Sequence, residues 1–587
     1  MTETLGSFYR AGNLMVYPPI SIGVDQTLKE AREMLTKFSI NVLLVVDKEE
    51  RIIGFISEHS VAKALCYGLL DFPVSAFMNT EFLTVKPDSS FNEVKRIIIN
   101  LKQRILPVMD NDRPVGVITR TDVLHVLAEE SSKLGLVPNV HWDNRRNLTS
   151  LMGENLSLLQ INILKKISFL ADKLGSQLYA VGGCVRDIIM RKPIHDLDLA
   201  LDGDLDDFVG QVAQVYRLTK VISHQRFKTA TLHTIEGLVL DISTTRREHY
   251  EYPGALPVIQ TSSLRLDLYR RDFTINSLAV VLNVKNFGEL LDFYRGYQDI
   301  KSGCIRVLHN LSFVEDPTRA FRAVRFEARL GFKISKMTAN LLEGAVRNNF
   351  LTSLDRRRLL HELKLILSED DPGPAIQRLD EFGLLSYIHS KIVLPSRCHL
   401  LFTRFRQVRD WLILTFPERK SQTWFIYLLA LIEGLKKHEL MELASSLTFK
   451  KKEAQILITE LPVALELLVQ YKYSSRPIRP SQASDLFVDL SWIVVVFIIA
   501  RTENMELAQA GMAFLTIYQN CRPFLNGWDL LELGLPQGPA INRGLNFLRR
   551  AKLDGLVKTR VEEINFIQHW WDKERNLISL KSGVKRF

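Results

Sequence analysis

Cysteine is scarce in this sequence. Five residues of 587, Cys66, Cys184, Cys304, Cys398 and Cys521, stand far apart, with no CxxC or CxxxC pair among them. That spacing excludes a disulfide framework and a thiolate metal site, and it is the usage of a reducing compartment. Long apolar runs are missing too. The longest, LSWIVVVFIIA at 490–500, is bounded by Asp489 and Arg501, is too short to span a bilayer, and predicts a buried helix. The start, MTETLGSFYRAGNLMVYPP, has no charged segment followed by an apolar core, so no export signal is read. A cytoplasmic location with no membrane partner is the expectation.

What is present is ordinary in bulk, with 46% hydrophobic and 24% charged residues, and too long for a single core. Lys plus Arg number 76 against 66 acids, a net +10. The surplus is uneven: residues 1–145 carry 16 basic and 18 acidic side chains, which leaves +12 on residues 146–587. A polyanionic partner for the second region fits that distribution.

The first 130 residues repeat themselves. VDQTLKEAREMLTKFSINVLLVVDKEERIIGFISEHSVAKAL aligns with VKPDSSFNEVKRIIINLKQRILPVMDNDRPVGVITRTDVLHVL at an offset of 63, falling to 62 after a one-residue deletion. Each copy reads as helix, strand, turn, strand, helix, with Gly54 and Gly116 at the same place after each turn. The tandem resembles a pair of CBS domains. That resemblance implies a site for the ribose of an adenine nucleotide at Gly-x-Ile-Thr-x-x-Asp, here Gly116, Thr119 and Asp122. The first copy has Ser57 and Ser60 where Thr and Asp would sit, so one site at most is expected. Thr119 and Asp122 equally suit a helix cap. CBS pairs often associate with one another, which makes a homodimer through the tandem the expectation for self-association.

The predicted order is a CBS pair at 1–130, a polar linker at 131–159, a mixed α/β head at 160–305, a helical neck at 306–390, and an α-helical body and tail at 391–587. The fold class is thus multidomain α/β plus all-α.

The head carries the sharpest signal, LYAVGGCVRDIIMRKPIHDLDLALDGD at 178–204. On a strand, residues i and i+2 face the same way, so Asp196 and Asp198 converge while Leu197 and Leu199 face the core. Two adjacent carboxylates repel unless cations lie between them, and oxygen-only ligands favour Mg²⁺, with two ions common where nucleotide phosphates are handled. Gly182 and Gly183 allow close backbone approach, the following helix start faces anions, and Arg186 adds a charged fork. Asp241, in LVLDIST on a neighbouring predicted strand, is either a third metal carboxylate or the cap of the next turn.

Gly182-Gly183-Cys184-Val185-Arg186-Asp187 followed by Asp196-Leu197-Asp198 resembles the first motif of the class II tRNA nucleotidyltransferase and poly(A) polymerase family, within the DNA polymerase β superfamily. Further segments follow in the family's order. RRDFTINSLA at 270–279 is similar to the second motif, which implies ribose and triphosphate contacts for Arg270, Arg271, Asp272 and Asn276, beside those of Gly182, Gly183, Arg186 and Asp187. LLDFYRGYQDI at 290–300 resembles the hinge-like segment, and EDPTRAFRAVRFEARLGF at 315–332 the base-selecting one. With Pro317 opening a helix and Asp316 capping it, Glu315, Asp316 and Arg319 would share one face. A carboxylate beside a guanidinium can imitate the edge of a complementary base; the alternative is an N-cap with a salt bridge. Arg322, Arg325 and Arg329 continue at three- or four-residue spacing, as nucleotide phosphate contacts or as partners of acids such as Glu327.

After 333, RRRLLHELKLIL at 356–367 is either an RNA-backbone contact or a solvated face. NGWDLLELGLPQGPAINRGLNFLRRAKLDGLVKTRVEE at 526–563 resembles the tail of longer family members, which implies contact with the tRNA elbow. Outside His195-Asp196 there is no consecutive His-Asp, so no phosphohydrolase activity is expected; the DHH module of many long relatives is also absent from this sequence. Phrases such as DLDLALDGD, YEYPGALP and LHNLSFVEDPTRAFRAVRFE look most like the lineage with CBS modules, which implies addition of the 3′-terminal A from ATP to tRNA ending in CC. The alternatives are full CCA addition from CTP and ATP, poly(A) polymerase, and, in another class, an inactive CBS nucleotide sensor that binds RNA.

Overall fold

In the computed structural model the repeat folds twice, and each copy borrows a segment from the other. The structure describes residues 9–583 apart from 39, 102, 125, 128–145, 195, 250–257, 395–397 and 475. Most of the expected linker, His195 and the phrase YEYPGALP therefore lie outside the described residues. The chain divides into two compact units, Met1–Asp355 and Arg356–Phe587.

The first CBS copy is a three-stranded sheet of β1 (Ser21–Gly23), β2 (Val42–Val46) and β3 (Ile52–Ser57), with α1 (Leu28–Lys37) and α2 (Glu58–Cys66). Thr27 and Glu30 form a capping box on α1, whose Leu28, Ala31 and Leu35 form the buried stripe. The second copy has the hairpin β4 (Ile105–Asp110) and β5 (Arg113–Thr119), with Val85 bridged parallel to Val108. The exchange is reciprocal: Val16 pairs with Val117 of the second copy, and Asn79 pairs with Phe55 of the first. Both repeat glycines sit under these crossings. A Cβ on Gly54 would lie 2.7 Å from the Asn79 carbonyl oxygen, and one on Gly116 would lie 2.6 Å from Met15 Sδ. The first copy's core also runs on into Leu311 and Val314, far along the chain.

The head is built on a seven-stranded sheet, in the order β14-β13-β6-β7-β10-β9-β8. Its strands are β6 (Gln177–Val181), β7 (Leu197–Asp202), β8 (Leu218–His224), β9 (Thr229–Thr234), β10 (Val239–Thr244), β13 (Leu278–Val281) and β14 (Leu290–Asp292). A separate pair, β11 (Arg246–His249) and β12 (Val258–Thr261), follows β10. Only β7 and β10 run parallel in the large sheet. The three strands expected from QLYAVGG, DLDLAL and GLVLDIST are β6, β7 and β10. Four helices frame the site: α3 (Gly183–Ile189), α4 (Leu264–Tyr269), α5 (Ser312–Glu315) and α6 (Thr318–Leu330).

The second unit is helical throughout its described residues. The apolar run at 490–500 is the helix Trp492–Arg501, in which residues 493–500 are all buried, as expected. Among the described residues no single helix is long and apolar enough to cross a membrane. In the tail, Gly538 (φ +112°) and Pro539 open the helix Pro539–Leu553, and Phe547 stacks on Phe566 and Trp570 at 5.0 and 5.1 Å between centroids.

Gly54→Val forces a branched side chain into the Asn79 backbone and should cost about 1–3 kcal/mol by overpacking. Gly153→Ala, helical and with nothing within 4 Å, should be neutral or slightly stabilising. Denaturant melts of the two variants check the contrast.

Candidate active site

The turn from β6 into α3 is made possible by Gly182. Its φ is +77°, and a Cβ there would lie 2.6 Å from Arg271 Nη1. Across the antiparallel β6–β7 pair lies the Asp pair. Leu197 and Leu199 are buried on one face, and Asp198 stands on the other, with Asp196 two residues before it. Parallel pairing puts Asp241 of β10 opposite Asp198. Asp241 Oδ1, however, accepts a 2.5 Å hydrogen bond from Thr231 Oγ1.

The carboxyl of Asp198 is raised above its ordinary pKa. Burial is the largest cause; Asp241 and Asp196 add to it, while Arg271 and Arg186 act against it. Like charges so placed are what a divalent cation relieves, and the all-oxygen donors suit Mg²⁺. Among the described residues no three His, Cys, Asp or Glu side chains are grouped so as to hold a metal ion. Cys184, buried with Sγ 3.6 Å from the Asp198 carbonyl oxygen, has its thiol pushed up to about 12 and is inert.

Around this strand end runs a buried ionic network. Arg186 clasps Asp187 with Nε and Nη2 (2.9 and 3.0 Å) and donates through Nη1 to Asn276 Oδ1 (2.8 Å). Asn276 Nδ2 donates to Asp272 Oδ1 (2.9 Å), and Arg322 Nε donates to Asp272 Oδ2 (3.0 Å). Burial works against ionising Asp272, but Arg322 and Asn276 overcome it and bring the carboxyl down to about 2. Three segments distant in sequence are thus joined through hydrogen bonds.

A second node is Asp267, fully buried on α4, a residue the motif reading missed. It accepts from Arg270 Nε and Nη2 through Oδ1 and from Arg271 Nη2 through Oδ2, at 2.8–3.1 Å. Burial opposes its charge, and the two guanidiniums hold it below the carboxylate range. The signal was available: an acid three and four residues ahead of two arginines, a spacing that brings side chains together at a helix end.

The base-selecting segment departs from the expected geometry. Glu315, Asp316 and Arg319 do not share one helical face, because the chain is extended at Asp316 (φ −134°, ψ 94°) between α5 and α6. Pro317 lacks an N–H and drives the residue before it out of the helical region. Asp316 Oδ1 accepts from Thr318 N and Oγ1, a local turn ahead of α6, whose N-cap position is Pro317. Arg319 reaches back to Ser312 Oγ (2.7 Å) and the Arg270 carbonyl oxygen (2.7 Å). Glu315 instead faces Lys63, Tyr67 and His309. In the second CBS copy, Asp122 Oδ2 accepts from Thr119 N and Oγ1 at 2.7 Å each, and Gly116 is packed under Met15.

Comparison with known proteins follows these parts. Residues 178–306 match the poly A polymerase head domain, 11–67 and 74–129 the CBS domain, and 331–393 the probable RNA and SrmB-binding site of polymerase A. The A-adding tRNA nucleotidyltransferase of Halalkalibacterium halodurans is 30% identical over 73% of this chain and 97% of its own. The chain belongs to the tRNA nucleotidyltransferase and poly(A) polymerase family. A second A-adding tRNA nucleotidyltransferase, from Geobacter sulfurreducens, is 38% identical over 96% of this chain. The Aquifex aeolicus one is 34% identical over 74% of it. The chain spans only 65% and 51% of the lengths of these two nucleotidyltransferases. Among solved structures of the family, a CCA-adding enzyme with ATP superposes with a TM-score of 0.62, 28% identity and coverage of 74% of this chain and 99% of that one. The Thermotoga maritima CCA-adding enzyme complexed with tRNA superposes at 0.59, 28% identity, 73% and 99%.

Asp272→Ala removes the carboxylate that the buried Asn276 and the half-buried Arg322 donate to and should cost about 1–3 kcal/mol. Asp198→Asn removes a repelling charge and should leave the metal-free protein as stable as the parent or more so. Thermal unfolding in EDTA checks both.

Proposed function

We propose that this chain is a template-independent RNA nucleotidyltransferase that adds the 3′-terminal A to tRNA ending in CC, from ATP. One observation carries the reading: the Asp196/Asp198 pair, the Arg270–Asn276 segment and the α6 arginines meet at one strand end, linked through Arg271, Asp267 and the Arg319 bond to Arg270. In the reaction the RNA 3′-oxygen attacks the α-phosphorus of ATP, the bond to the β-phosphate breaks, and pyrophosphate leaves. Asp196 and Asp198 would hold Mg²⁺, which supplies neutralising charge to the triphosphate and acidifies the 3′-hydroxyl. Arg271, held by Asp267 against Gly182, and Arg186, held by Asp187 and Asn276, set fixed positive charge beside the Asp pair for the triphosphate. Asp316 and Arg319 present an acceptor and donors to the base edge. The +12 surplus, with exposed Arg356 and Arg357 opening a helix, supplies the electrostatics for tRNA. An adenine nucleotide at Gly116, Thr119 and Asp122, and a homodimer through the CBS pair, belong to the same proposal. The likeness to CCA-adding enzymes supports a second reading, full CCA addition.

The test is single-nucleotide addition to tRNAs ending before, within and after CCA, with each NTP. A added only to the CC end supports A-addition; C added to the shorter tRNAs supports the second reading; no addition by the intact Asp pair overturns both. Asp196→Ala or Asp198→Ala should abolish incorporation while tRNA binding stays near normal. Arg319→Ala should weaken use of ATP by roughly tenfold or more and erase its advantage over the other nucleotides. Unchanged rate and selectivity would leave the segment a capped helix only.

A further inference from the structure

The first CBS copy touches the nucleotide-selecting segment directly. Lys63 Nζ on α2 lies 2.6 Å from Glu315 Oε1, and the Tyr67 hydroxyl donates to the same oxygen at 3.0 Å. His309 Nε2 donates to Glu315 Oε2 at 3.0 Å and packs its ring on Tyr269, with 5.4 Å between centroids. Glu315 is 5% exposed, and its three partners come from two modules. Burial, together with Lys63, lowers His309 to about 4, so at neutral pH it is an uncharged donor; burial lowers Lys63 as well, and Glu315 opposes that shift. Burial also works against Glu315, yet its carboxyl is held well below the ordinary range by these partners.

The surroundings make this contact stiff. Leu311 and Val314, on and before α5, belong to the first copy's apolar core, and Phe350 packs on Phe72 and Phe77. Asn310 donates to the Phe77 carbonyl, Arg306 pairs with Glu81, and Glu81 also accepts from Met337 N. The chain bends at Asp316, one residue beyond the clamped Glu315, and Arg319 then returns to Ser312 on the clamped helix. Moving α5 therefore moves both base-facing groups. In the first copy, where the CBS nucleotide pattern is replaced by Ser57 and Ser60, the helix those residues begin is committed to this contact.

We propose that Lys63 and Tyr67 of the first CBS copy are positioning residues of nucleotide selection, holding Glu315 so that the bend at Asp316 presents Asp316 and Arg319 to the base. The inference rests on the nucleotidyltransferase reading given above. The full chain is assayed for addition of each NTP to tRNA ending in CC, with equilibrium ATP binding alongside, for wild type, Lys63→Met, Lys63→Arg, Tyr67→Phe, Glu315→Gln and Lys63→Met/Glu315→Gln. Lys63→Met should raise the KM for ATP and cut discrimination against CTP by about tenfold, while kcat changes much less. Lys63→Arg should restore most of the loss, and the double variant should be no worse than Glu315→Gln alone. Tyr67→Phe, a smaller change, should shift discrimination in the same direction and carries the test should Lys63→Met not fold. Wild-type selectivity in Lys63→Met or Tyr67→Phe, or a Lys63 defect that adds fully to that of Glu315→Gln, overturns the proposal. A wild type that adds another nucleotide speaks against A-addition, and one that adds none speaks against the nucleotidyltransferase reading; the comparison is then read on the nucleotide it uses, or on ATP affinity.

Discussion

A buried carboxylate cannot be left alone, and the site is arranged around the one at Asp272. Ionised in the interior, it would cost several kcal/mol without partners, so it takes Arg322 on one oxygen and Asn276 on the other. Asn276 in turn accepts from Arg186, which clasps Asp187. Each bond satisfies a group that the next one requires. Three segments, around residues 186, 272 and 322, are held in one register by that requirement. Arg271 and Gly182 fit together for the same reason, since the guanidinium occupies the space a side chain on the glycine would fill.

The same logic extends outward to the CBS pair. Glu315 is another buried carboxylate, and its cation comes from a module roughly 250 positions earlier in the chain. The first CBS copy is consequently built into the first unit, its core shared with Leu311 and Val314. Met1–Asp355 forms one unit as a result, and Arg356–Phe587, built on apolar helices such as Trp492–Arg501, forms another.

Much of this was legible in the sequence because its signals are local. The period-2 alternation put Leu197 and Leu199 in the core and Asp198 on the other face, and the 63-residue offset found the repeat. The apolar run at 490–500 declared its buried helix. What could not be read depends on partners far away in the chain. The pattern Glu-Asp-Pro-x-Arg suggested one continuous helical face; the proline's bias on Asp316 bent the chain, and Lys63 then turned Glu315 aside. Asp267 was within reach of a helix-spacing argument and was overlooked because it lies just before the motif. The reciprocal exchange of residues 15–16 and 78–79 between CBS copies had only two glycines as its trace.

We propose that the Arg186–Asn276–Asp272–Arg322 network, joined by hydrogen bonds, acts as one unit in holding the nucleotide. A double-mutant cycle on ATP affinity tests it most directly, with Asn276→Ala, Arg322→Met and the pair together. Coupling of about 1–3 kcal/mol between the two substitutions is the expected result. Losses that add to within about 0.5 kcal/mol would contradict the claim, since residues acting independently add in that way.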